Sequence, residues 1–208
     1  MSYLLRLLGK GLAGDFTGYL SKFLKGPAGA TLESIQADLK QRPSRADLHL
    51  ALGLKQMELG RLAAARQALE TAVRLDPDGD DACVALAAVL SDLGDPAAAV
   101  ARLRPVAERT PYPATVRYVM GQLEERQGAM AEAASSYRMA LAADPMHTAA
   151  RQRLAALELV GGNLDAAVHQ YTALKRHQPE DFDTRMNLAA LPVRRGDLAA
   201  AIAEYQDP

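Results

Sequence analysis

The chain has 208 residues, 24 Lys and Arg against 25 Asp and Glu, and a net charge of −1. That balance leaves no overall field to gather nucleic acid or an anionic surface, and no stretch approaches the ~20 apolar residues of a membrane span. Cys83 is the sole cysteine, so an internal disulfide is excluded and an inert buried thiol is expected.

Residues 1–25 read as a basic amphipathic helix. Leu4, Leu5, Leu8, Leu12, Phe16, Tyr19 and Phe23 fall within about a third of a helical wheel. Arg6 and Lys10 lie well away from that face, and Lys22 and Lys25 at or near its edge. The apolar run Leu4–Leu8 is broken by Arg6 and is too short for a secretory signal, so the cytoplasm is the expected compartment. Gly9, Gly11, Gly14 and Gly18 each cost a helix up to ~1 kcal/mol relative to Ala, so this helix needs a surface to form on. The expected docking face is Leu8, Leu12, Phe16, Tyr19 and Phe23. Three roles are open to it: capping the rest of the chain, lying on a membrane surface, or inserting into a groove of the same or another molecule. The run Gly9–Gly14 matches G-x-G-x-x-G, but a dinucleotide site needs strands on either side and the chain offers only helical patterns.

From residue 26 a fixed beat takes over. Pro43, Pro77, Pro111, Pro145 and Pro179 step by 34 residues, and Gly26, Gly60, Gly94, Gly128, Gly162 and Gly196 keep the same step. Such a period is the mark of a repeat array. Residues 26–45 hold the register without the full pattern and are expected to be a degenerate repeat or capping helix, with Leu32, Ile35 and Leu39 packing over the first full unit. There are five full units, 46–79, 80–113, 114–147, 148–181 and 182–208. Within the first, Leu48, Leu52, Leu59 and Leu62, then Ala65, Leu69, Ala72 and Leu75, give two stretches of helical spacing. Gly60 turns one helix back on the other, and Pro77 marks the end of the second. The expected fold class is all-α, an α-solenoid of antiparallel helix pairs, in which each pair buries a thin apolar face against its neighbour. Pro192 is expected to end or kink the first helix of the last unit, and Pro105 to disturb the last turn of the second. The chain stops at Pro208 without the usual polar closing helix, which is expected of a truncated chain or of an end that leans on something else.

On these residues the chain resembles the tetratricopeptide repeat family over roughly residues 46–208. Leu52/Gly53, Leu86/Ala87, Met120/Gly121, Leu154/Ala155 and Leu188/Ala189 hold its apolar-then-small pair. Leu69, Leu103, Tyr137, Tyr171 and Tyr205 hold the large residue of its second helix. The aromatic place early in the first helix departs from the pattern, with His49, Cys83, Arg117, Arg151 and Arg185. The bland reading of Arg117 and Arg151 is pairing with Glu124 and Glu158 two turns on; the alternative is an arginine ladder for an anionic ligand.

The resemblance implies that first helices line a concave groove. It places there Leu50, Leu54 and Met57, then Val84 and Ala88, then Tyr118 and Gln122, then Gln152 and Leu159, and finally Met186. Exposed at those places, they form an apolar groove with a polar middle, suited to an amphipathic helix or an apolar extended segment. The Lys and Asn of the family's carboxylate clamp for chaperone tails are missing: Leu50, Leu54, Ala85, Thr115 and Val119 stand there.

Chemistry is absent from the pattern. Asp76, Asp78 and Asp80 imitate the start of a calcium loop, but Asp81 and Ala87 replace its turn glycine and bidentate acid. His147, His169 and His177 lack partners at metal-ligand spacing. The chain is therefore expected to be non-enzymatic, without metal or cofactor, and to recruit a protein or peptide but no nucleic acid. Its expected function is that of an interaction scaffold or adaptor. The alternative is a self-assembling or membrane-apposed structural protein, homo-oligomeric or peripheral to a membrane through its N-terminal helix.

Overall fold

A computed structural model describes residues 31–110 and 113–194. These residues form ten α-helices and no strand. The helices are α1 Leu32–Gln41, α2 Ala46–Glu58, α3 Leu62–Leu75, α4 Asp80–Asp92, α5 Pro96–Arg109, α6 Pro113–Arg126, α7 Met130–Ala143, α8 Thr148–Val160, α9 Leu164–His177 and α10 Phe182–Arg194. The N-terminal docking face, the G-x-G-x-x-G run, Pro111, Gly196 and Tyr205 lie outside the described residues. The fold class is all-α, of the helix-pair solenoid type.

The glycine beat acts through backbone conformation. Gly60, Gly94, Gly128 and Gly162 have φ between 72° and 85°, a region that residues with a Cβ adopt only at a cost. At each turn the residue after the glycine donates its N–H to a carbonyl five places back. The bonds are Arg61 to Gln56, Asp95 to Leu90 and Ala129 to Glu124, each at 2.9 Å, and Asn163 to Glu158 at 2.8 Å. This six-to-one bond closes the helix C-terminus and satisfies a carbonyl that has lost its ladder partner. Helix starts are sealed individually. Thr31 caps α1, Asp95 Oδ1 accepts from Ala98 N–H at 3.0 Å, and His147 Nδ1 accepts from Ala150 N–H at 3.2 Å.

The chain divides into two compact units, Met1–Ala129 and Met130–Pro208. In unit one each helix packs on the next along the chain from α1 to α6, and α2 also touches α4. Close approach of α2 and α3 depends on Gly53: a Cβ there would lie 2.5 Å from Leu69 Cγ. Leu69 and Leu103 are fully buried, as the large residue of the second helix requires. In unit two α7 packs on α8, α8 on α9, and α9 on α10. The core shared by α8, α9 and α10 joins Ala155, Ala167, Tyr171, Leu174, Leu188 and Leu191. Tyr137 and Tyr171 fill the place that Leu69 and Leu103 fill in unit one.

Three expectations are corrected. Helix α5 continues through Pro105 to Arg109, because buried Val106 and Ala107 hold the last turn against the array and Thr110 N–H still reaches Val106 O at 2.9 Å. Helix α10 likewise does not end at Pro192 but runs to Arg194, with Leu191 buried just before the proline. Arg151 does not depend on Glu158: it donates to Gln170 Oε1 at 3.0 Å and to the Pro145 carbonyl. Glu158 instead accepts from Arg138 and from Asn163 Nδ2, which ties α8 to α7 and to its own C-terminal turn. Two turns separate Arg151 from Glu158, and both side chains found nearer partners.

Candidate functional site

The places that the family resemblance assigns to an inner face lie on the first helices, and the two units differ in how far those places are exposed. In unit one, Leu50 on α2 is half-buried while Leu54 and Met57 are buried. On α4, Val84 and Ala88 are 0% and 1% exposed. On α6, Tyr118 is buried and its hydroxyl accepts a 2.9 Å hydrogen bond from Gln122 Nε2. The expectation that Leu54, Met57, Val84, Ala88 and Tyr118 stand open to solvent is therefore corrected. The physical cause is packing by neighbours: α4 lies among α2, α3 and α5, and Arg126 of α6 donates to Ser91 Oγ of α4 at 2.9 Å. The carbonyl oxygens of Gln56 and Gln122 are buried with no hydrogen-bond partner.

In unit two the equivalent places are open. Gln152 and Ala156 on α8 are exposed and Leu159 is half-buried. On α10, Met186 is 39% exposed, Val193 is 47% exposed and Ala190 is half-buried. Met186 and Val193, seven residues apart, lie on one side of the helix.

Charged residues serve the repeat joints. Arg109, at the end of α5, donates from Nε to Asp80 Oδ1 at 2.7 Å and from a terminal nitrogen to the Pro77 carbonyl at 3.4 Å, with Asp78 at 3.7 Å. The acidic turn that imitates a calcium loop is thus clasped by an arginine from the next turn along the array. Sequence reading missed this clasp, although the separation of 32 residues from Pro77 to Arg109 is close to one repeat and signals adjacent joints. His49 Nε2 lies 2.8 Å from the Pro43 carbonyl, so it too serves a joint. Among the described residues no group of three or more metal-ligating side chains converges, and no helix is long and apolar enough to cross a membrane. Burial pushes the Cys83 thiol above its ordinary pKa, which keeps it protonated and unreactive.

Helix pairs of 34 residues, positive-φ glycines at the hairpins and small residues at the pair contacts define a tetratricopeptide-type array. Two tetratricopeptide repeat family models match, over residues 56–123 and 153–207. Together they span more than half of the chain, and the protein belongs to the tetratricopeptide repeat family, whose repeats are protein–protein interaction scaffolds. No curated protein matches the sequence. Solved structures are similar in fold. MamA protein is 17% identical with a TM-score of 0.68, covering 77% of this chain and 88% of its own. YrrB, described as a TPR protein with an unusual peptide-binding site, is 16% identical with a TM-score of 0.68 and covers 84% and 90%. A tetratricopeptide repeat protein from Parabacteroides merdae is 21% identical with a TM-score of 0.64 and covers 92% and 78%.

Proposed function

We propose that the protein is a non-catalytic adaptor that holds an apolar helix or extended segment of a partner protein against the inner face of its first helices. The observation that carries this reading is the chemistry of that face. In the second unit Met186 and Val193 are exposed and Leu159 is half-buried along the first helices, and Gln152 adds an amide but no charge. A surface of this kind binds by excluding water from a partner's apolar stripe, with amides to fix register. YrrB offers a precedent for peptide binding on the same fold.

Met186 is the place to test it, because it is exposed and its substitution spares the core. Solvent-facing changes usually shift stability by under ~0.5 kcal/mol. Met186→Asp and the half-buried Leu50→Asp are expected to lose partners that the parent chain captures, with at least a tenfold weaker Kd for Met186→Asp and unchanged helical circular dichroism. Partners retained equally by parent and Met186→Asp chains count against the inner face as the binding surface.

A further inference from the structure

The chain has four histidines, and their rings are used in different senses. His169 and His177 are exposed. His49 Nε2 faces the Pro43 carbonyl at 2.8 Å, so that nitrogen is the donor, and a ring donates from Nε2 whether it is neutral or charged. His147 works the other way. It is the N-cap of α8, and its Nδ1 accepts from the Ala150 N–H at 3.2 Å. A ring nitrogen accepts only while it carries no proton, so this cap exists only in the neutral imidazole. The other side-chain caps lack that property. Thr31 caps α1, Asp95 caps α5, and at the start of α10 Asp181 Oδ2 accepts from the Thr184 N–H at 3.0 Å. A hydroxyl and a carboxylate keep their acceptors from pH 5 to 8, whereas imidazole changes charge within that range.

The joint around His147 is tightly tied. Its N–H donates to the Asp144 carbonyl at 3.1 Å, and Asp144 Oδ1 accepts from the Met146 N–H at 2.9 Å. The Arg151 N–H donates to the His147 carbonyl at 3.1 Å, and its guanidinium binds the Pro145 carbonyl and Gln170 of α9. Charged and titratable groups on the elements packed here are mostly cationic. Helix α8 carries Arg151 and Arg153 in its first turns, and α9 adds His169 beside Gln170 and Lys175, Arg176 and His177 in its last turn. On the α7 side Asp144 is acidic, while Arg138 is engaged with Glu158 near the far end of α8. A charged ring at His147 adds a further cation to the N-terminus of α8, where the helix dipole is already positive. Ala150 is 0% exposed, so no water replaces the ring on its N–H unless the turn lifts.

We propose that His147 makes the joint between α7 and α8 a pH-sensitive hinge, in which the neutral ring seals the first turn of α8 and the protonated ring releases it. The seal is present at neutral pH and is lost as the pH falls through the ordinary imidazole value of ~6.5. Release stays local, because Leu154 and Ala155 keep the middle of α8 buried. Gln152 follows the first turn directly, so the hinge lies at the root of the helix that carries Gln152 and Leu159.

Amide exchange of the full chain, read as protection factors at pH 7.5 and 5.5, tests this. In the parent the Ala150 amide is expected to lose protection about fivefold on acidification, the scale of a lost N-cap. His147→Asn supplies a capping oxygen that does not titrate, and is expected to protect Ala150 equally at both pH values. His147→Ala is expected to protect it weakly at both. The Ala98 amide, capped by Asp95, is expected to stay constant in all three chains. Unchanged protection of Ala150 in the parent overturns the proposal. An equal loss in His147→Asn assigns the effect to Asp144 or another group and overturns it too. A loss at Ala98 that matches the loss at Ala150 shows general loosening and overturns it as well. Should His147→Asn prove unstable, His147→Asp provides a cap that stays ionised at both pH values and gives the same reading.

Discussion

Individual side chains in this protein are set by how closely neighbouring helices approach. Gly53 illustrates the steric side, since Leu69 occupies the volume that any larger residue needs. Asp81 illustrates the electrostatic side. Its carboxyl is half-buried at the start of α4, and burial, followed by the charge of Asp80, raises its pKa above the ordinary value. A raised carboxyl pKa in the folded chain means that ionisation costs stability. The cost is absent below the unfolded pKa of ~3.9, grows between the unfolded and folded values, and is fully present above the folded one. Asp81→Asn is therefore expected to raise the melting temperature at pH 7 and to leave it unchanged at pH 3, compared by thermal melts at both pH values. A stabilisation that persists at pH 3 assigns the effect to something other than charge. Asp47 runs the other way, because Arg45 hydrogen-bonds its carboxylate and lowers its pKa.

At the level of elements, the hairpin turns carry the repeat. Gly94 has φ +85° and open space where a Cβ would sit, so substitution there meets no neighbour and measures backbone strain alone. Gly94→Ala is expected to cost about 1 kcal/mol in urea unfolding, and Gly94→Asn less, because asparagine tolerates the left-handed region. Equal costs for both would show that the turn reads side-chain contacts instead. The prolines show the limit of local rules. Pro105 and Pro192 each remove one ladder donor, yet α5 and α10 persist because Val106, Ala107 and Leu191 are docked against neighbouring helices. A missing hydrogen bond costs less than undocking a buried turn.

Within each unit, contacts among the described helices run almost entirely between neighbours along the chain. Stability in such an array is close to a sum of local terms. Leu174→Ala, in the core shared by α8, α9 and α10, is expected to cost about 2–5 kcal/mol locally and to speed amide exchange over residues 164–191. Exchange in α2 to α4 is expected to stay unchanged; a uniform rise throughout would show a single cooperative block.

The periodic glycines, prolines and small residues determined the fold class by themselves, because each encodes a backbone or contact requirement that repeats identically: a left-handed turn at Gly60, a close approach at Gly53, a helix end at Pro77. The same counting gave Val84, Ala88, Tyr118 and Met186 their positions within the repeat. Exposure at those places was not legible. One helix pair sets the spacing of Val84 and Met186 in their repeats, but whether water reaches them depends on how neighbouring helices pack around them, and only the tertiary structure decides that. The Arg109 clasp on Asp80 and the partner choice of Arg151 share this origin: long charged side chains bond whichever acceptor the packed helices bring within reach, and only the tertiary structure fixes that distance.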